Sequence, residues 1–142
     1  MHVLWPNFKR EIDGIKGLAI VVVQNYETKE VLMVAFTDEP GWKQTLESGK
    51  VSLYSTSRKK SWIKGEESGN FMKVKDIRLD CDGDAIVCLV EPQGKGVACH
   101  TEARTCFYRS ATFPRVIAIA PKAGPHEQLQ SMEFSPHADL QP

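Results

Sequence analysis

The chain has 142 residues, a length that suits one domain able to bury a core without disulfide staples. Its 18 basic and 18 acidic side chains cancel, so no global attraction to nucleic acid or to an anionic membrane is expected, and any anion must be held by a local cluster. The opening residues carry no basic segment followed by a long apolar stretch, and the longest apolar runs are far short of a membrane span, so a soluble cytoplasmic protein with reduced thiols is expected.

In chain order, Leu18–Gln24 and Val31–Phe36 are β-branched apolar runs separated by the turn-like Asn25–Lys29, which predicts a fairly buried β-hairpin. Thr37-Asp38-Glu39-Pro40 combines a capping residue, an early acid and an early proline, and so marks a helix start. Trp42 and Leu46 would share one face of that helix, and Gly49 would stop it. Val51–Tyr54 alternates like a strand. Arg58–Lys64 is basic around Trp62 and leads into the loop Gly65–Gly69. Val74–Asp82 alternates, and Ala85–Val90 reads as a continuous apolar strand covered on both faces. Short strands are expected at Cys106–Arg109 and Val116–Ala120, and a polar tail from Pro121. The expected class is α+β: one β-rich domain over residues 1–120 with a mixed or antiparallel sheet and one or two helices, followed by a tail over residues 121–142.

The densest chemical signal is Asp80-Cys81-Asp82-Gly83-Asp84. On an extended chain the three aspartates point to one side and Cys81 to the other. Convergent carboxylates repel unless a cation sits between them, and hard oxygens favour Mg²⁺ or Ca²⁺, whereas the thiol suits a softer metal such as zinc. The plain alternative is a solvated acidic turn. A calcium-binding EF-hand is a decoy: Asp80, Asp82, Asp84 and Glu91 fall in register, but Ala85 stands where glycine is needed and the flanks read as strands. The second signal is Cys99-His100 with Cys106. Six residues separate these cysteines, which is not zinc-finger spacing, but with Cys81 they offer three thiolates, the ligand number of a zinc with one open position. Cys88, inside an apolar run, reads as a small core residue. The third signal places Ser55, Ser57 and Arg58 near Trp62, Lys64, Gly65, Glu66 and Ser68: hydroxyls, cations and glycines on adjacent loops that can hold phosphate, with Trp62 as a stacking surface or a core edge.

Taken together, Val31–Phe36, Ser55–Arg58, Trp62–Glu66 with Ser68-Gly69, Asp80–Asp84, and Ala98–Thr101 with Cys106–Arg109 resemble the phosphoribosyl-AMP cyclohydrolase family, from about Leu18 to Arg109. The resemblance implies an intertwined cytoplasmic homodimer using Zn²⁺ and Mg²⁺. The zinc ligands would be Cys99 and Cys106 with Cys81 from the other subunit, and the magnesium ligands Asp80, Asp82 and Asp84. Ser55, Ser57, Arg58, Trp62, Lys64, Gly65, Glu66 and Ser68 would bind substrate. There are departures: Glu102 replaces the family's usual glycine and Thr105 its usual serine, while Asn70 after Ser68-Gly69 fits the pattern. A glycine at 102 is explained if the backbone there takes angles that glycine favours.

The activity implied is the third step of L-histidine biosynthesis, hydrolysis of the C6–N1 bond of 1-(5-phosphoribosyl)-AMP to the phosphoribosylformimino-aminoimidazole carboxamide ribotide. Zinc lowers the pKa of a bound water. His100 would relay a proton, or would instead orient a neighbouring ligand by a hydrogen bond. Magnesium would help to hold a substrate phosphate or a water. A deaminase is the nearest chemical rival, but the Pro-Cys-x-x-Cys half of its signature does not occur. A non-enzymatic zinc-stabilised dimeric binding protein would need a fourth ligand, from Cys88 or His100. A nucleic-acid module is not supported, because Arg58-Lys59-Lys60 is too small a basic cluster.

Overall fold

The computed structural model describes residues 4–111. They divide after Cys106: the first unit carries every helix and strand, and the second contributes residues 107–111, which form neither. The strand expected at Cys106–Arg109 is therefore not formed. The expected strand Val116–Ala120 and the tail from Pro121 lie outside the described residues.

The first unit is α+β, with one helix and a five-stranded mixed sheet. Its strands are β1 (Arg10–Ile12), β2 (Ile15–Asn25), β3 (Val31–Thr37), β6 (Met72–Leu79) and β7 (Ala85–Pro92). The helix α1 (Glu39–Ser48) follows β3, and β4 (Ser52–Ser55) and β5 (Lys60–Ile63) form a separate antiparallel hairpin.

β2 is the organising strand. It pairs antiparallel with β3, Ala19 opposite Thr37 through Gln24 opposite Val31, as the apolar runs predicted. It also runs parallel to β7, Ile20 opposite Ala85 through Asn25 opposite Val90. Alternation along β2 turns Ala19, Val21 and Val23 to the core, where they meet Leu32, Trp42, Leu53, Ile86, Cys88 and Val90. Burial of β3 is only partial, since Val31 and Val34 are exposed. β1, too short and polar to show a pattern, was not expected; the tight Asp13-Gly14 turn folds it back on β2.

The helix begins and ends where the sequence places it. Asp38 accepts from the Gly41 amide at 2.8 Å as N-cap, and Gly49 closes the helix in the left-handed conformation with its amide on the Thr45 carbonyl. The predicted apolar face needs correction. Trp42 is buried, but Leu46 is exposed, and Thr45 takes the inward place. The Thr45 hydroxyl accepts from the Ser52 amide at 2.9 Å, so a polar contact docks the helix on β4. Among the described residues, no helix is long and apolar enough to cross a membrane.

Candidate active site

A cavity of about 510 Å³ opens between two loops and the segment that follows β7. The first wall is the β4–β5 turn. Its register places Ser55 opposite Lys60, and the Ser55 hydroxyl accepts from the Arg58 amide at 3.1 Å and lies 3.2 Å from the Ser57 hydroxyl. That geometry presents Ser55, Ser57 and Arg58 to the cavity. The Thr56 hydroxyl donates outward to Asp13 in the β1–β2 turn at 2.8 Å.

The second wall runs from Trp62 to Asn70. Gly65 has φ +95°, and a Cβ there would sit 2.5 Å from the backbone of Asn70 and Phe71, so only glycine permits this turn. Trp62, Lys64, Gly65, Glu66 and Ser68 all line the cavity. All eight residues named from sequence as substrate-binding are thereby brought to one space, together with Cys99 and His100. Asn70, Glu67, Val97 and Glu102 line it as well and were not among them. Asn70 has a visible function: its side-chain oxygen accepts from the Lys95 amide at 2.9 Å and so ties the second wall to the segment after β7. No local spacing could have revealed that link across the intervening hairpin.

Cys99 and Cys106 meet within one chain. Desolvation acts to raise the Cys99 thiol, but hydrogen bonds from the Thr101 hydroxyl (3.0 Å), the Thr101 backbone and Cys106, with the charge of Lys64, hold it below its usual range. Cys106 is pushed up to about 11 by desolvation and by the negative charge of Cys99 beside it. Burial lowers the half-buried Lys64, while both thiols act to raise it, so one cation serves the cavity and the sulfur pair together. Two adjoining sulfurs with a stabilised charge between them suit a thiophilic ion such as zinc. Thr101 and Lys64 as partners of the sulfurs were not foreseen.

Cys81 stands elsewhere. It is exposed in the turn between β6 and β7. The Cys106 amide donates to the Leu32 carbonyl, and Leu32 lies two strands across the sheet from β7 and further along it. That offset amounts to roughly 15 Å. Sulfurs around one zinc lie within about 4 Å of each other, since each Zn–S bond is about 2.3 Å. The three cysteines of one chain therefore do not meet at one ion.

The aspartates converge, though not by alternation along an extended strand. β6 ends at Leu79, and residues 81–84 form a tight turn closed by the Asp80 amide on the Ala85 carbonyl and the Gly83 amide on the Asp80 carbonyl. One oxygen from each of Asp80, Asp82 and Asp84 lies within 4.8 Å of the others. Asp84 is buried and paired with Arg10, and Lys9 reaches Asp82 at 2.8 Å. The Lys9 hydrogen bond, helped by Asp84, holds the Asp82 carboxyl well below the usual range. A cluster of hard oxygens already drawing two cations of its own chain fits Mg²⁺. The contribution of Lys9 and Arg10 was invisible in sequence, because their partners lie 73 and 74 residues further along the chain.

Cys88 is buried in the core, where desolvation pushes its thiol up to about 12, as its apolar run predicted. His100 is exposed at the cavity edge. The sequence model of the phosphoribosyl-AMP cyclohydrolase family matches residues 33–108. The chain is similar to a protein of that name from Methanothermobacter thermautotrophicus, 52% identical over 104 residues covering 73% of each chain. It is likewise similar to proteins of that name from Syntrophotalea carbinolica, 51% over 98 residues (69% of this chain and 78% of the relative), and Neisseria meningitidis, 52% over 94 residues (66% and 71%).

Proposed function

Since the chain belongs to the phosphoribosyl-AMP cyclohydrolase family, we propose that this cavity is where it opens the adenine ring of phosphoribosyl-AMP. The protein is a hydrolase of histidine biosynthesis. Its reaction adds water at C6 of the ring and breaks the C6–N1 bond. The exocyclic nitrogen remains on the product as a carboxamide, and N1 leaves as part of a formamidine.

The observation that carries the reading is a cavity bounded by hydroxyls and cations on two walls and by Cys99 and His100 on the third. A substrate with two phosphates and a purine needs that combination. Ser55, Ser57, Arg58 and Ser68 hold a phosphate, helped by Lys64 and by the turn at Gly65-Glu66. Trp62 offers its face to the base. Zinc held by Cys99 and Cys106 would supply the Lewis acidity that makes water reactive near neutral pH. Cys81 of a second copy of this chain completes the three thiolates, which makes the working enzyme a homodimer. His100 takes the proton from the attacking water or delivers it to the departing N1. Asp80, Asp82 and Asp84 would hold magnesium at a separate site, where it would supply positive charge for a phosphate. Reduced thiols of this kind belong in the cytoplasm. The non-enzymatic zinc dimer is the weaker reading, since it gives no use to a cavity beside the sulfur pair.

The test is incubation of the purified protein, loaded with zinc and magnesium, with phosphoribosyl-AMP. Ring-opened product should appear without ammonia; ammonia released in step with substrate loss would sink the ring-opening reading. Asp82→Asn, run in parallel, should lose magnesium-dependent activity and keep its zinc. Joint loss of zinc and fold in that variant would remove the two-site reading.

A further inference from the structure

Between Pro92 and Cys106 the chain runs without helix or strand, yet it delivers two sulfurs to contact. The limb that carries Cys99 is closed internally: the Cys99 amide donates to the Ala103 carbonyl, and the Ala98 amide to the Arg104 carbonyl, both at 3.2 Å. The limb that carries Cys106 is fixed to the start of β3. There the Thr105 hydroxyl donates to the Val31 carbonyl at 2.8 Å and the Cys106 amide to the Leu32 carbonyl at 2.7 Å. Arg104 belongs to both limbs. Its carbonyl holds the first, and its guanidinium grips Glu30, just before β3, with Nε on Oε1 at 2.7 Å and Nη2 on Oε2 at 3.0 Å. Glu30 is itself anchored, because its carbonyl accepts from the Asn25 amide at 2.8 Å across the β2–β3 turn.

We propose that the Glu30–Arg104 pair is a positioning device that fixes the two sulfurs, Cys99 and Cys106, relative to each other for metal binding. The proposal rests on the reading that these thiols hold zinc. Its physical basis is the two-pronged contact. A planar guanidinium on a carboxylate fixes direction as well as distance, which a lysine in the same place does not. The Arg104 side chain is 69% exposed and that of Glu30 31%, so the pair adds little to global stability. What it adds is orientation of the one residue that joins the two sulfur-bearing limbs. A support serving only stability and one serving metal geometry thus predict different results.

The experiment uses the full chain. Zinc affinity is measured by competition with a chromophoric chelator, and the geometry of the sulfur pair by the thiolate-to-metal charge-transfer band after cobalt(II) substitution. Glu30→Gln and Arg104→Met should each weaken zinc binding about tenfold, the scale seen when partners that orient metal ligands are removed. Both should also change the cobalt band. The melting temperature of the metal-free protein should move by no more than about 2 °C. Arg104→Lys should fall between wild type and Arg104→Met. The exchange Glu30→Arg with Arg104→Glu should regain affinity relative to either single change. Wild-type affinity in the single variants, no gain in the exchange, or a collapse of the metal-free fold would each overturn the proposal. If Cys99→Ser keeps wild-type zinc, the thiols do not hold the ion, and both readings fall together.

Discussion

At Glu102 the backbone takes φ 68°, a left-handed conformation that costs an L side chain about 1 kcal/mol or more and glycine almost nothing. The Glu102 amide donates to the Cys99 carbonyl, so this conformation closes the turn beside a candidate ligand. The family's usual glycine is explained by that angle, and the loop here keeps the turn despite the departure. Glu102→Gly should therefore stabilise the protein by about 0.5–1 kcal/mol in urea unfolding, after allowing for the greater freedom of glycine in the unfolded chain and for loss of the exposed ion pair between the Glu102 carboxylate and the Lys95 ammonium, 3.3 Å apart. Glu102→Ala, which keeps the strain, should give no such gain; equal gains from both would show that the angle is not the cause. The cysteines show how far single residues are legible. Cys88 was readable because its neighbours are apolar. The meeting of Cys99 and Cys106 was not, since six intervening residues leave their separation open, and only the resemblance paired them.

Elements were read best where a local rule sets their ends. The helix from Glu39 to Ser48 is bounded by Asp38 and Gly49, each acting through its own backbone neighbours. Its docking was misread, because Thr45 competes with Leu46 for the inward place and wins through a hydrogen bond to a strand that follows later. Asp38 adds a second tie: the same carboxylate oxygen that caps the helix accepts from the Ser61 hydroxyl of β5 at 2.9 Å. Asp38→Ala should cost about 1–2 kcal/mol of stability, the upper range for a cap, because a partly buried hydroxyl loses its acceptor too. Asp38→Asn should recover most of it, and a neutral Asp38→Ala in a urea titration would contradict both contacts. The acidic turn shows the opposite case. Its convergence was foreseen for the wrong reason, because alternation along a strand mimics what a tight turn achieves. β1 was missed, since its three residues are too few and too polar to show a pattern, although its partner β2 follows directly.

For the molecule as a whole, the separation of Cys81 from the sulfur pair has a measurable outcome. If each ion takes Cys81 from one chain and Cys99 with Cys106 from another, a Cys81→Ser chain and a Cys99→Ser chain are each inactive alone. In a mixed dimer one site collects both changes and the other collects neither. After subunit exchange the mixture should recover up to about a quarter of wild-type activity, because half of randomly paired dimers are hybrids with one intact site of two. A verified hybrid without activity would remove the shared site. The parallel pairing of β2 with β7 bears on how such a molecule comes into being. Ile20 is made early and lies opposite Ala85, which is made late, so one edge of β2 waits without its partner while most of the first unit is synthesised. Pairings between such distant residues slow folding and prolong the exposure of unpaired edges. The newly made chain, rather than the finished enzyme, is then the form most in need of a chaperone.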